Sequence, residues 1–104
     1  MRDVFPPSVP TGLVAVPAYA GKVPAIDLSW DPDVEARVAG YRVYRREGTG
    51  AWQRLTAELV TTAAYRDTAV LAGRTYTYRV TAVSTAGNES AAGGDVGETA
   101  PVGQ

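Results

Sequence analysis

Apolar and polar residues alternate with a period of two along much of this chain, and a helical period is scarce. The clearest case is Thr75 to Ser84, where Tyr76, Tyr78, Val80 and Ala82 share one face and Thr75, Thr77, Arg79, Thr81 and Val83 share the other. That pattern predicts a half-buried strand. Ala25 to Asp31 alternates in the same way, with Ile26, Leu28 and Trp30 on one side and Asp27 and Ser29 on the other, and Pro32 ends it. Gly40 to Arg46 is a third strand, rich in the aromatic and β-branched residues that suit a pleated surface.

Shorter segments complete the set. Leu13 to Val16 follows turn residues and predicts an edge strand. Glu47-Gly48-Thr49-Gly50 supplies a hairpin turn, with Ala51 to Leu55 as the returning strand. Ala63 to Asp67 makes a fifth strand, Ala86 to Glu89 turns the chain after the long sixth, and Asp95 to Ala100 forms the last, with Gly93 and Gly94 marking a bulge or frayed edge. Only Asp33 to Ala39 has any helical character, and it is short. Seven short strands separated by turn signals predict an all-β, antiparallel, two-sheet sandwich.

Composition narrows the chemistry. The 104 residues fit one domain, at 45% hydrophobic, 20% charged and net charge −1, an ordinary globular balance. A protein built to grip nucleic acid is expected to be strongly basic, so that class is set aside. With no cysteine there are no disulfides, thiol chemistry or thiolate metal sites. With no histidine the commonest general base and metal ligand is missing.

The opening ten residues, Met1 to Pro10, have no continuous apolar core and do not read as a signal peptide. The uncharged stretch over Val9 to Gly21 is broken by Pro10, Thr11, Gly12 and Pro17, so membrane insertion is not expected. Residues 1–7 and 100–104 read as Pro-containing linkers around a domain at 8–99, as though the chain were excised from a longer one and monomeric in isolation.

Taken in order, several short motifs resemble a fibronectin type III domain. They are Pro7, Pro10 and Leu13 at the entry, Leu28-Ser29-Trp30 in the second strand, Tyr41-Arg42-Val43-Tyr44-Arg45 in the third, and Gly73 to Val83 across the turn and sixth strand. The resemblance implies an immunoglobulin-like sandwich of one three-stranded and one four-stranded sheet closed over Trp30. It also implies a tyrosine corner at Tyr76, whose hydroxyl bonds backbone a few residues upstream. Val70, Ala72 and Arg74 depart from the leucine, proline and threonine common before that tyrosine. Ala86 to Ser90, with the Tyr-Arg-Val-Tyr-Arg run, is similar to versions found in bacterial secreted enzymes and surface proteins, which implies an extracellular or cell-surface setting. The alternation itself assigns Ile26, Leu28, Trp30, Tyr41, Val43, Tyr76, Tyr78, Val80 and Ala82 to the core between the sheets.

Candidate sites are few. Asp31, Asp33 and Glu35 cluster after the second strand, but calcium needs six to eight oxygens and a turned loop, about twelve residues in dedicated sites, so solvated loop carboxylates are the better reading. The same residues do not make a glycosidase pair without a sugar-sized cleft. No general base stands beside any serine, threonine, tyrosine or lysine, and Gly48-x-Gly50 lacks the residues of a phosphate loop. Asn88-Glu89-Ser90 is a formal glycosylation sequon of a kind common by chance. One sheet face is of more interest: Arg42 and Tyr44 beside Thr77 and Arg79, extended by Arg54 and flanked by Trp52. Arginines with aromatics hold anionic or sugar ligands, and equally make an ordinary solvated face stabilised by cross-strand pairs.

The expectation is thus a non-catalytic spacer module, with no cofactor and no metal, whose partners are the flanking domains of a larger bacterial protein, by resemblance a carbohydrate-active enzyme. The alternative is a binding module that grips polysaccharide or a protein partner through the Arg42/Tyr44/Arg79 face.

Overall fold

The structure, a computed structural model, describes residues 7–32 and 38–102. Seven strands follow one another: β1 (Val14–Ala20), β2 (Val23–Ser29), β3 (Val38–Glu47), β4 (Gln53–Arg54), β5 (Ala64–Asp67), β6 (Thr75–Ser84) and β7 (Val96–Thr99). They form two antiparallel sheets, one in the order β1-β2-β5 and the other β4-β3-β6-β7. The architecture is the expected all-β sandwich of three and four strands, and β6 has the bounds its alternation predicts.

Differences at other strands have local causes. β1 runs on to Ala20 instead of stopping at Val16, although Pro17 lies inside it. It is an edge strand paired only with β2, and an edge tolerates a residue without an N–H on its free side. The tight connection through Gly21, at φ +66°, lets β2 begin at Val23 and leaves Trp30 and Asp31 just beyond its end. β4 shrinks from five residues to two. Val38 and Ala39 open β3, not a helix, and the rest of the Asp33 to Ala39 segment lies outside the described residues. Gly93 makes no bulge. It lies against the entry segment, where a Cβ would stand 1.8 Å from the Pro10 carbonyl oxygen, so close approach is what requires glycine there.

The core is the one the alternation assigns. Ile26, Leu28, Trp30, Tyr41, Val43, Tyr76, Tyr78, Val80 and Ala82 form one buried cluster, joined by Val70 and Ala100. Trp30 meets Tyr41 edge to face, with ring centroids 5.3 Å apart. Ala100, which the sequence assigns to the trailing linker, is 1% exposed. Its N–H donates to the Arg74 carbonyl at 2.8 Å and its own carbonyl accepts from Gly73 at 3.0 Å. Pro7 is buried as well, so packing reaches past both expected linker boundaries.

The tyrosine corner is present. The Tyr76 hydroxyl accepts the Leu71 N–H at 2.9 Å, and Gly73 supplies the turn at φ +79°, despite the departures at Val70, Ala72 and Arg74. Tyr76→Phe removes this acceptor and strands the Leu71 amide, which is expected to cost about 1–2 kcal/mol. In thermal unfolding that reads as a fall in Tm of about 5–10 °C.

Candidate functional site

Beyond the register shift at Val38/Gly40, the outward face of the four-stranded sheet is built by the even-numbered residues of β3 and the odd-numbered residues of β6, since the opposite set fills the core. Arg42 pairs across with Thr81, Tyr44 with Arg79, and Arg46 with Thr77. On the other side of β3, Tyr44 pairs with Arg54. Of the four residues grouped there, Tyr44 and Arg79 are direct partners, while Arg42 faces Thr81 and Thr77 has Arg46 as its neighbour. A slip of two residues leaves every side chain on its own face, so alternation alone cannot fix this register.

Two groups of contacts divide the face. In the first, Glu89, at the end of the turn after β6, folds back over the sheet and bridges from its backbone to Val83. Its carboxylate takes Arg42 Nη1 at 2.9 Å on one oxygen, with Tyr44 Oη at 2.5 Å and Thr81 Oγ1 at 2.6 Å on the other. Burial alone would raise the Glu89 pKa, but the bonds from Thr81, Tyr44 and Arg42 outweigh it and hold the carboxyl below its usual range. The Tyr44 phenol is raised, by desolvation and by the carboxylate it donates to, so it stays protonated as a donor. Glu89 was legible only as a turn residue; nothing in the local pattern marks its reach to β3.

In the second group, the Arg79 guanidinium lies 4.1 Å and that of Arg46 4.7 Å from the centre of the Trp52 ring. Arg79 also lies 6.0 Å from the Tyr44 ring. Trp52 is half-buried under these cations, while Arg54 is exposed. The structure thus brings Arg42, Tyr44, Trp52, Arg54, Thr77 and Arg79 onto one face and adds Arg46, Thr81 and Glu89.

Because Glu89 is held ionised by native contacts, its stabilising share is present at neutral pH and is lost as pH falls through its depressed native pKa. Glu89→Gln is expected to cost about 1–2 kcal/mol near neutrality. The gap in Tm between the two proteins should begin to narrow near the ordinary glutamate pKa of about 4.3 and close below the depressed native one. A gap of constant size across the titration would show that the carboxylate charge plays no part.

Elsewhere the surface offers little chemistry. Asp31 is engaged by Thr11, whose hydroxyl donates to it at 3.1 Å, and Asp33 and Glu35 lie outside the described residues. No group of three or more acidic residues is placed to hold a metal among the described residues. A concavity of about 230 Å³ runs between Pro10–Leu13 and Gly93–Val96. An open trough of about 420 Å³ crosses Asp27–Ser29 and Ala64–Arg66, where Arg66 and Asp27 are already joined at 2.6 and 2.8 Å. No helix among the described residues is long and apolar enough to cross a membrane.

The family model of the fibronectin type III domain matches residues 9–93. Among curated proteins the chain is 38% identical over 89 residues to an amylopullulanase of Thermoanaerobacterium saccharolyticum, a match covering 86% of this chain and 6% of that one. It is 40% identical over 92 residues to exoglucanase B of Cellulomonas fimi, covering 86% of this chain and 7% of the enzyme. The chain therefore spans a small part of these relatives. Among solved structures it superimposes on an Fn3-like protein from Clostridium thermocellum with a TM-score of 0.71 at 32% identity, covering 88% of this chain and 90% of that one.

Proposed function

The chain belongs to the fibronectin type III family, and on that footing we propose that it is a non-catalytic spacer, a rigid module that sets the distance and orientation of flanking domains in a larger extracellular bacterial carbohydrate-active enzyme. The observation that carries this reading is the company its relatives keep: stretches 38–40% identical to it make up 6–7% of an amylopullulanase and an exoglucanase. The physical features agree. The space between the sheets is filled by side chains; Gly12, Gly93 and Gly94 line part of one concavity, and in the other Asp27 and Arg66 are already paired with each other. What a filled two-sheet sandwich supplies to its neighbours is a fixed separation.

A three-way exchange tests it. The module is placed between a polysaccharide-degrading catalytic domain and a polysaccharide-binding domain, then replaced by a Gly/Ser segment of equal residue number or by an unrelated sandwich of similar length. A spacer predicts equal activity on a short soluble substrate in all three. On insoluble polymer without charged groups the unrelated sandwich should match the module, and the Gly/Ser chain should fall short. Failure of the unrelated sandwich to substitute would mean that the module contributes contacts of its own.

A further inference from the structure

Seven arginines lie among the described residues, and they divide sharply. Arg42, Arg45, Arg66 and Arg74 each reach a carboxylate, of Glu89, Asp67, Asp27 and Glu47 respectively. Arg46, Arg54 and Arg79 reach none among the described residues, and all three stand on the outer face of the four-stranded sheet around Trp52. The Nε of Arg46 is buried with no hydrogen-bond acceptor among the described residues. Two like charges drawn onto one indole repel each other, and a carboxylate arriving from outside relieves that repulsion while accepting from both forks. Glu89 shows the chemistry on the same surface, where a single carboxylate collects three donors. The chain as a whole carries a net charge of −1, so an anion drawn here is drawn by this face and not by bulk charge.

We infer that the Arg46/Arg54/Arg79 face around Trp52 binds a carboxylate-bearing polysaccharide. The choice of a polymer follows from shape. Arg54 and Arg79 stand on either side of Tyr44 across β4, β3 and β6, with Arg46 two residues along β3, so a small anion meets one or two of the guanidiniums, whereas a chain laid across the strands meets all three at once. A stiff chain of sugar rings is favoured over an acidic peptide, because a flexible peptide must pay ordering entropy that a few exposed charge contacts do not return. The preference for sugar rests on the reading of the module as part of a carbohydrate-active enzyme; the anion site does not.

Polygalacturonate immobilised on a support is the probe, with neutral amylose and poly-glutamate beside it. Retention on polygalacturonate is expected at low salt. It should fall as ionic strength rises from about 0.01 M to about 1 M, where the screening length shrinks from about 30 Å to about 3 Å. Arg54→Gln/Arg79→Gln should weaken it by about tenfold or more, that is ~1.4 kcal/mol. Arg66→Gln, on the other sheet, should leave it unchanged, and Arg46→Gln gives an independent reading if the double variant melts early. No retention at low salt, or retention indifferent to Arg54 and Arg79, overturns the site. Equal retention by poly-glutamate overturns the polysaccharide assignment. None of these outcomes bears on the spacer role, which needs no ligand and is measured by distance.

Discussion

Replacing Trp30 by alanine is expected to leave this domain barely folded or unfolded at room temperature. Trp30 is 5% exposed, sits just past the end of β2 and stacks edge to face on Tyr41 of the opposing sheet, so it closes the gap between the layers. Truncating a buried tryptophan to alanine costs about 3–5 kcal/mol through lost burial and the cavity left behind. A domain of this size has only about 5–15 kcal/mol in hand. Thermal unfolding should show Tm lowered by about 15 °C or more, or no transition. Trp30→Phe sharpens the point. The indole N–H has no hydrogen-bond acceptor among the described residues, so phenylalanine removes an unpaired donor along with part of the ring. Its cost should be well below that of alanine, because the donor contributes a penalty and not a bond. An unchanged Tm for Trp30→Ala would refute the placement of the core.

The second large effect belongs to Asp67. Its side chain is 2% exposed and accepts from Arg45 Nη1 at 2.8 Å, Tyr78 Oη at 2.8 Å and the Ala69 N–H at 3.0 Å. Because Asp67 ends β5 while Arg45 and Tyr78 stand on β3 and β6, the carboxylate ties the two sheets together. Burial, with the carboxylate beside it, pushes the Tyr78 phenol far above its usual range, so it remains a neutral donor. Asp67→Ala leaves a cation of low exposure and a buried hydroxyl unpaired, and breaking a buried pair in this way costs about 3–5 kcal/mol. Chemical denaturation should show a lower midpoint with an unchanged slope. Tyr78→Phe in the Asp67→Ala background should recover part of the loss by removing one orphaned group. A loss of less than about 1 kcal/mol for Asp67→Ala, the usual scale for exposed pairs, would mean that the pair is solvated.

The parts of this fold that are legible in the sequence are those that one strand's own alternation encodes. β6 and the nine core positions follow from period two alone, because a half-buried strand must present its apolar face to the other sheet. Legibility fails where a partner decides. Pro17 looks like a terminator until β1 is known to be an edge, and Ala100 looks like linker until its backbone is seen bonded to Gly73 and Arg74. On the candidate face, alternation identifies the right side of the sheet but leaves the register open to any even slip, so it groups Arg42 and Tyr44 with Thr77 and Arg79 without showing that Tyr44 faces Arg79 while Arg42 faces Thr81.

Acidic partners were the least legible. Glu89 and Asp67 act across distances in sequence that no local motif spans. A signal existed for Asp67. Arg45 occupies the core phase of β3 after Tyr41 and Val43, and Tyr78 is a core tyrosine whose hydroxyl needs a partner, so a buried acceptor was required nearby. For Glu89 no comparable signal is present.

The spacer reading stands on stiffness, and a distance distribution measures that directly. A Gly/Ser chain of the same residue number has a root-mean-square end separation of about 50–60 Å. A folded sandwich holds its two ends at one separation while the Gly/Ser chain samples many, so the width of the distribution separates the two. The chain has no cysteine, which allows one spin label to be attached through an introduced cysteine in each of two flanking reporter domains. Pulsed dipolar spectroscopy should give a single narrow distance that becomes broad when Trp30 is replaced by alanine. A distribution as broad as that of the Gly/Ser chain, from a module that remains folded, would contradict the spacer.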